Sequence, residues 1–271
     1  MLKASEIVKK YNLTCRKELG QNFLLQKGLL DRIVASAGDL GGSDLLEVGP
    51  GPGGLTRALL EKNPHRLIAV ELDQRSIEAL EAEIKPFFSN MEIIRGDALK
   101  IDENRLFADR FSVVANLPYN IGTALLLKWL ENSAPRIDHL TLLLQREVVA
   151  RIIANPGTRE YGRLSVICQY LSDVKKCFDI PPGVFVPPPK VTSSLVRLVV
   201  RRDADFSLLP GLIKLVDGLF AKKRKTLLNN LKTLTPFPGE VLDRCNLDPN
   251  GRAEELPLEN ILRILHQLKW R

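Results

Sequence analysis

Hydrophobic and polar positions along the chain follow two alternating patterns. The first is a short apolar run rich in β-branched residues, which predicts a buried strand. Such runs occupy residues 44–48, 66–72, 91–95, 111–116, 139–145 and 191–200. The second is an apolar residue at every third or fourth position, which predicts a helix and fills the gaps at residues 55–62, 74–84 and 123–131. Strands that alternate with helices predict an α/β fold with a mostly parallel sheet and helices on both faces.

The pattern becomes entirely helical after about residue 205. Apolar spacing of three and four runs through residues 211–231 and again through 258–270. We therefore predict two domains: residues 1–204, built on the sheet and starting with a basic extension, and residues 205–271, small and helical. Just before this boundary, the proline-rich segment 179–190 ("DIPPGVFVPPPK") cannot be helical, so we expect an ordered loop there.

The net charge of +7 is concentrated at the two ends of the chain. Residues 1–20 hold five Lys/Arg and two Asp/Glu, residues 21–200 hold twenty-one of each, and residues 201–271 hold thirteen against nine. A neutral middle with basic flanks fits an enzyme whose outer parts bind a polyanion. Solvated surface charge explains the same numbers equally well at this point.

The composition also indicates where the protein acts and which sites it lacks. No run of eighteen apolar residues occurs and the start lacks the features of a signal peptide, so we expect a cytoplasmic protein with no membrane contact. The four cysteines and three histidines are scattered, which argues against a metal site and against disulfides. Because the chain shows no heptad seam, we expect a monomer.

A glycine-rich stretch, "EVGPGPGG", follows the first predicted strand. Gly49, Gly51 and Gly54 form a GxGxxG pattern, which by itself fits a dinucleotide as well as other nucleotide cofactors. Glu47, two positions before the first glycine, discriminates between them. Its carboxylate would oppose a pyrophosphate, whereas S-adenosylmethionine has no phosphate and carries a sulfonium and an ammonium group. The sequence therefore favours S-adenosylmethionine over NAD.

Two more acids end the next two predicted strands. Glu71 lies where a carboxylate can accept both ribose hydroxyls, and Asp97 lies where it can accept from an adenine amino group. Each alone is typical of a helix cap or a turn. Because the carboxyl ends of parallel strands meet at one edge of a sheet, we expect all three acids to face one crevice.

The hexapeptide "NLPYNI" ends the fourth predicted strand. Pro118 fixes its own φ and biases Leu117 toward an extended conformation, so the Asn116 carboxamide oxygen and a backbone carbonyl become two aimed acceptors. Two acceptors that hold an exocyclic amine favour the tetrahedral nitrogen that attacks a methyl group. Tyr119, and Phe185 from the proline-rich loop, could stack on an unpaired base. The alternative is an ordinary turn with a core tyrosine.

Several stretches, taken together and in order, resemble one family closely. They are "GQNFL" (20–24), "EVGPGPGGLT" (47–56), "GDAL" (96–99), "NLPYNI" (116–121), "FVPPPKVTSSLVRL" (185–198) and "KKRKTLLNNL" (222–231). They are similar to the ribosomal RNA adenine N6-dimethyltransferases of the KsgA type, and the resemblance runs from about residue 13 to 268.

The resemblance implies a reaction, a substrate and roles for particular residues. The family transfers four methyl groups from S-adenosylmethionine to two adjacent adenines near the 3′ end of 16S ribosomal RNA, within an immature 30S subunit. The residues implied to bind the donor are Asn22, Leu24, Gly49, Glu71, Asp97 and Asn116. Those implied in catalysis are Asn116, Leu117, Pro118 and Tyr119. Those implied in RNA contact are Lys222, Lys223, Arg224 and Lys225, which otherwise resemble a solvated helix face.

Some positions leave alternatives open. Leu19 stands where the family commonly has phenylalanine. A related family, which methylates large-subunit ribosomal RNA and confers macrolide resistance, shares the glycine loop but typically has isoleucine in the position of Leu117. A non-catalytic assembly or transcription factor on the same fold is a third reading, against which the intact acids and Asn116 argue.

Overall fold

The computed structural model describes residues 1–14, 20–222 and 225–268. The chain divides into two compact units, the first formed by residues 1–149 with 175–200 and the second by residues 150–174 with 201–271. The domain boundary expected after residue 204 lies close to residue 200, where the chain passes from the first unit to the second for the last time. Residues 150–174, which the sequence-based division placed in the first domain, fall in the second unit.

A seven-stranded sheet forms the first unit, with its last strand shared across the boundary. The strands are β2 (Asp44–Val48), β3 (Arg66–Glu71), β4 (Met91–Arg95), β5 (Phe111–Asn116), β6 (Ile137–Gln145), β7 (Ser172–Ile180) and β9 (Ser193–Val200). Their order is β4-β3-β2-β5-β6-β9-β7. The five strands from β4 to β6 pair in parallel, and β9 is antiparallel to β6. A separate antiparallel pair joins β1 (Phe23–Leu24) to β8 (Phe185–Val186).

The central strands are buried on both faces. Leu45 and Leu46 on β2, and Val113 and Val114 on β5, are all fully buried. Such continuous burial is typical of a parallel sheet covered by helices on both sides. The helices of this unit are α1 (Ala4–Lys10), α2 (Lys27–Ala37), α3 (Gly54–Leu60), α4 (Gln74–Glu83) and α5 (Gly122–Asn132); α6 (Arg146–Ile152) spans the boundary. The predicted α/β class is confirmed.

The second unit is helical. Its helices are α7 (Arg163–Leu171), α8 (Leu209–Phe220), α9 (Leu227–Leu231), α10 (Pro238–Arg244) and α11 (Leu258–Leu268). The helical spacing predicted across 211–231 is divided between α8 and α9. Tyr161 is buried in this unit, where its hydroxyl donates to the Leu256 carbonyl at 3.0 Å and its ring meets Phe220 edge-on. Residues that precede β7 and residues that follow β9 in the sequence thus form the core of the second unit together.

Strand β7 was not predicted from the sequence. It is the last strand in the sheet order, and its residues Ser172–Ile180 alternate irregularly between buried and exposed. An edge strand carries polar and charged residues because one side lacks a neighbour. The apolar run that marks the central strands is therefore missing.

Candidate active site

Side chains from the ends of four adjacent strands line one cavity. Glu47 lies on β2, Glu71 ends β3, Asp97 follows β4 and Asn116 ends β5, and all four line a cavity of about 240 Å³. The order β4-β3-β2-β5 makes these strand ends neighbours. This is the edge of a parallel sheet at which ligands bind.

The other residues predicted for donor binding or catalysis line the same cavity. Residues 20–24, the glycine loop and residues 116–121 complete the walls. Among the sequence-predicted residues they contribute Asn22, Leu24, Gly49, Leu117, Pro118 and Tyr119. The structure thus groups every residue predicted for donor binding or catalysis around one space.

The glycine loop lies against the N-terminal segment. Gly51 has a φ of +53°, and a Cβ at this position would lie 2.9 Å from an aromatic carbon of Phe23. Any side chain here would push against that buried ring. The loop therefore needs glycine both for its left-handed backbone and for its close approach to residues 20–24.

Glu47 is a buried carboxyl group at the base of the cavity. It is 1% exposed, and its Oε2 atom has no hydrogen-bond partner within the part of the chain that the structure describes. Burial raises its pKa to about 8; the nearby Thr56 hydroxyl opposes this rise and the Glu71 carboxylate adds to it. A buried acceptor without a donor fits a ligand that brings a positive charge, as S-adenosylmethionine does.

Glu71 is held by backbone donors. Its Oε1 accepts from the amides of Leu72 at 2.8 Å and Asp73 at 2.9 Å, and its Oε2 accepts from the Gly51 amide at 3.0 Å. Burial raises the pKa of Glu71, and these backbone donors counteract the rise. The carboxylate therefore ties the end of β3 to the glycine loop and is fixed in direction.

Asn116 is oriented by the N-terminal segment. Its Nδ2 donates to the Asn22 backbone carbonyl at 3.0 Å. Because the amide nitrogen donates this hydrogen bond, the carboxamide oxygen is the side-chain atom that can accept one from a ligand. Next to it, the Leu117 amide donates to the Leu143 carbonyl at 3.3 Å, so the turn starts as a continuation of β5.

Tyr119 is half-buried and fixed at its hydroxyl. Its oxygen lies 2.5 Å from the Ser193 Oγ on β9, and burial raises the pKa of Tyr119. The predicted stacking of Phe185 is not what the structure shows. Phe185 is 1% exposed and packs in the core, because β8 pairs with β1 and places it opposite the buried Leu24. Its ring offers no face to a base.

Two exposed leucines that line the cavity were not predicted from the sequence. Leu72 directly follows Glu71, and Leu99 lies two residues after Asp97; both line the cavity, with exposures of 51% and 36%. Exposed leucines beside these acids suit a flat aromatic ring. A leucine one or two positions after an acid at a strand end is a signal that could have identified them.

The predicted RNA-binding cluster lies in the second unit. Lys222 and Lys225 are exposed and precede α9. Lys223 and Arg224, like Leu19, lie outside the described residues. Among the described residues no group of three or more His, Cys, Asp or Glu could hold a metal ion. Within the same residues, no helix has the length and apolarity needed to cross a membrane.

Comparison with known protein sequences identifies relatives over almost the whole chain. Residues 12–269 match the model of the ribosomal RNA adenine dimethylase family. The ribosomal RNA small subunit methyltransferase A of Xanthobacter autotrophicus is 43% identical over 262 residues, which cover 96% of this chain and 91% of the relative. The protein of the same name from Ruegeria sp. is 41% identical, with coverage of 97% and 95%.

Solved structures agree with this assignment. A dimethyladenosine transferase from Plasmodium falciparum is 27% identical with a TM-score of 0.79, covering 90% of this chain and 96% of its own. The 23S rRNA methyltransferase ErmE is 25% identical with a TM-score of 0.70, covering 92% and 100%. The methyltransferase fold and the family resemblance predicted from the motifs are confirmed. The chain therefore belongs to the ribosomal RNA adenine dimethylase family, whose members are enzymes that use S-adenosylmethionine as methyl donor.

Proposed function

We propose that this chain dimethylates N6 of two adjacent adenines in the hairpin loop near the 3′ end of 16S ribosomal RNA. The observation that carries the proposal is the position of Asn116. It lies in the same cavity as Glu47, Glu71 and Asp97, and its amide is already oriented by the Asn22 carbonyl. A donor site and a candidate amine-binding group thus share one space.

The residues present suit the donor. S-Adenosylmethionine supplies a methyl group on a positively charged sulfur. Gly49, Glu71 and Asp97 all line the cavity, where they would bind the methionine part, the ribose and the adenine, respectively. The Glu47 Oε2, which has no hydrogen-bond partner among the described residues, would face the positive end of the ligand, and Asn22 and Leu24 line the cavity.

Asn116 and Leu117 would hold the target amine. The lone pair of an exocyclic amine is delocalised into the base, so the amine attacks poorly by itself. The Asn116 carboxamide oxygen accepts one N–H, and the Leu117 carbonyl is the candidate for the second, because the Pro118 carbonyl already accepts from Ile121 and Gly122 at the start of α5. Both acceptors stabilise the positive charge that develops on nitrogen. This needs no metal and no strong base.

The direction of the Asn116 amide is decisive for this role. If the amide rotated by half a turn, Nδ2 would face the amine and repel its hydrogens. The 3.0 Å hydrogen bond to the Asn22 carbonyl opposes that rotation. The N-terminal segment therefore supports catalysis as well as donor binding.

The target nucleotide has to leave its stack to reach this cavity. Flipping a base costs a few kcal/mol, and stacking on Tyr119 could return about 1–3 kcal/mol. We place the RNA contacts that hold the surrounding loop at Lys222, Lys223, Arg224 and Lys225. The natural substrate would be an immature 30S subunit, bound by a monomer of this chain in the cytoplasm.

The alternatives have less support. ErmE shares the fold, but relatives at 40–43% identity over nearly the whole chain carry the small-subunit name, and Leu117 stands where the large-subunit family typically has isoleucine. A purely structural factor would not need the acids and Asn116 in one cavity.

Methyl transfer to small subunits isolated without this modification tests the proposal. Labelled S-adenosylmethionine provides the methyl group, and mass spectrometry identifies the modified nucleotide. We expect dimethyladenosine at the two adjacent adenines. Label in large-subunit RNA alone would overturn the substrate assignment. No transfer, with the donor and the subunit both bound, would overturn catalysis and leave an assembly factor.

A further inference from the structure

Helix α5 connects the turn at residues 116–121 to the loop that follows β4. The helix begins directly after that turn, and Lys128 lies on its second turn. The Lys128 Nζ donates to the Ala98 carbonyl at 2.8 Å, to the Glu103 Oε1 at 2.7 Å and to the Ile101 carbonyl. An ammonium group has three N–H donors, so these three acceptors use them all.

The next residue of α5 reinforces the same contact. The Trp129 indole nitrogen donates to the same Glu103 Oε1 at 2.8 Å. Trp129 is fully buried and Glu103 is 2% exposed. Two consecutive residues of one helix thus hold a single buried carboxylate oxygen, and these contacts tie the loop that carries it to α5.

This loop forms one wall of the cavity. Asp97, Ala98 and Leu99 line it, and the Asp97 Oδ1 accepts from the Leu99 amide at 3.0 Å. Lys128 is not among the cavity residues, yet it holds the carbonyl of Ala98, the residue between the other two. The position of Asp97 and Leu99 therefore depends on a lysine that lies outside the cavity.

We propose that Lys128 is a positioning residue for the adenosine end of the donor. It fixes residues 97–103 against the helix that starts at the amine-binding turn, so donor and target are positioned from one element. The inference rests on the proposed function, because it takes S-adenosylmethionine as the ligand beside Asp97.

With the single variant Lys128→Met, a loss of donor positioning could not be distinguished from a loss of protein stability. It leaves the buried Glu103 carboxylate without its counter-charge, which is strongly destabilising. The double variant Lys128→Met with Glu103→Gln removes that problem, since a neutral amide oxygen can still accept from Trp129. The Ala98 and Ile101 carbonyls still lose their donor. The single variant Glu103→Gln keeps Lys128 and serves as the matched control.

Calorimetry with two ligands tests the role without RNA. S-Adenosylhomocysteine and 5′-methylthioadenosine share the adenosine part, and only the first carries the amino acid part. We expect the dissociation constants of both ligands to rise about tenfold in the double variant relative to Glu103→Gln, as a weakened hydrogen bond at Asp97 requires. The melting temperatures of the two variants should stay within a few degrees.

Methyl transfer kinetics give a second readout. The KM for the donor should rise in the double variant, with kcat at saturating donor close to that of Glu103→Gln. A fall in kcat with unchanged KM would mean a general loss of folded enzyme and would overturn the inference. So would dissociation constants within twofold of the control, or a change confined to S-adenosylhomocysteine. Binding of S-adenosylhomocysteine by the wild-type chain separately tests the proposed donor.

Discussion

Replacing Glu47 by glutamine should make the free protein more stable, and increasingly so as the pH rises. An unfolded chain ionises this carboxyl near its ordinary pKa of 4.5, whereas burial raises the pKa in the fold to about 8. Between these values unfolding releases a proton, so each pH unit lowers the stability of the wild type by about 1.4 kcal/mol. The glutamine variant has no such ionisation. Because this slope levels off near each pKa, the difference in unfolding free energy should widen by about 3.5 kcal/mol in favour of the variant from pH 5 to pH 8.

Thermal unfolding of both proteins between pH 5 and pH 8, without donor, measures this difference. For a unit of this size, about 3.5 kcal/mol corresponds to a gap in melting temperature that widens by about 7–14 °C. Glu81→Gln, at an exposed position on α4, is the matched control and should show no widening.

The refuting result is a gap that stays constant across this range. It would mean that Glu47 has the same pKa in the fold as in the unfolded chain. Burial of the carboxylate would then not lower the stability of the fold. If the gap narrowed with rising pH, the pKa of Glu47 would be lowered in the fold instead of raised. That result would indicate a cation that stabilises the carboxylate.

Three further predictions concern catalysis, packing and RNA binding. Asn116→Ala should lower methyl transfer by about 10²–10³-fold while changing the dissociation constant of S-adenosylhomocysteine only slightly, because the acceptor acts on the amine; equal losses in both measurements would contradict this role. Gly53→Ala should destabilise the first unit by about 2–4 kcal/mol in a denaturant titration, since φ is +76° and the new Cβ would lie 2.1 Å from the Ile84 Cδ1. Gly183→Ala, with no atom within 4 Å of the new Cβ, is its control. Neutralising Lys222, Lys223, Arg224 and Lys225 together should weaken subunit binding and flatten its salt dependence, and an unchanged slope would identify them as solvated surface.

The elements that sequence reasoning located are those whose burial leaves a simple pattern. Strands β2 and β5 have the predicted bounds because strands buried on both faces are continuous apolar runs. The bounds of β4 were also predicted, although it is an edge strand in which only Met91 is buried. The edge strand β7 and the two-residue strands β1 and β8 leave no such run. Helix α9 was merged with α8 because the polar residues between them do not interrupt helical spacing strongly.

The site was predictable where it depends on strand ends. Glu47, Glu71, Asp97 and Asn116 could be placed together because parallel strands align their carboxyl ends. The hydrogen bond from Asn116 to the Asn22 carbonyl joins residues far apart in sequence through a backbone atom, which no side-chain pattern encodes. The burial of Phe185 likewise depends on its pairing with Leu24, a tertiary contact.

The interleaved path of the chain constrains the order in which the protein can fold during synthesis. Helix α7 is made before β9, but it packs against α8, which follows β9. The sheet of the first unit is incomplete until residue 200 has been made, while residues 150–174 remain without their partners until α8 and residues 254–256 exist. A fragment of residues 205–271 lacks α7 and Tyr161, and with them part of its own core. The helical unit is therefore a late product of translation that cannot be separated from the catalytic unit by a single cut.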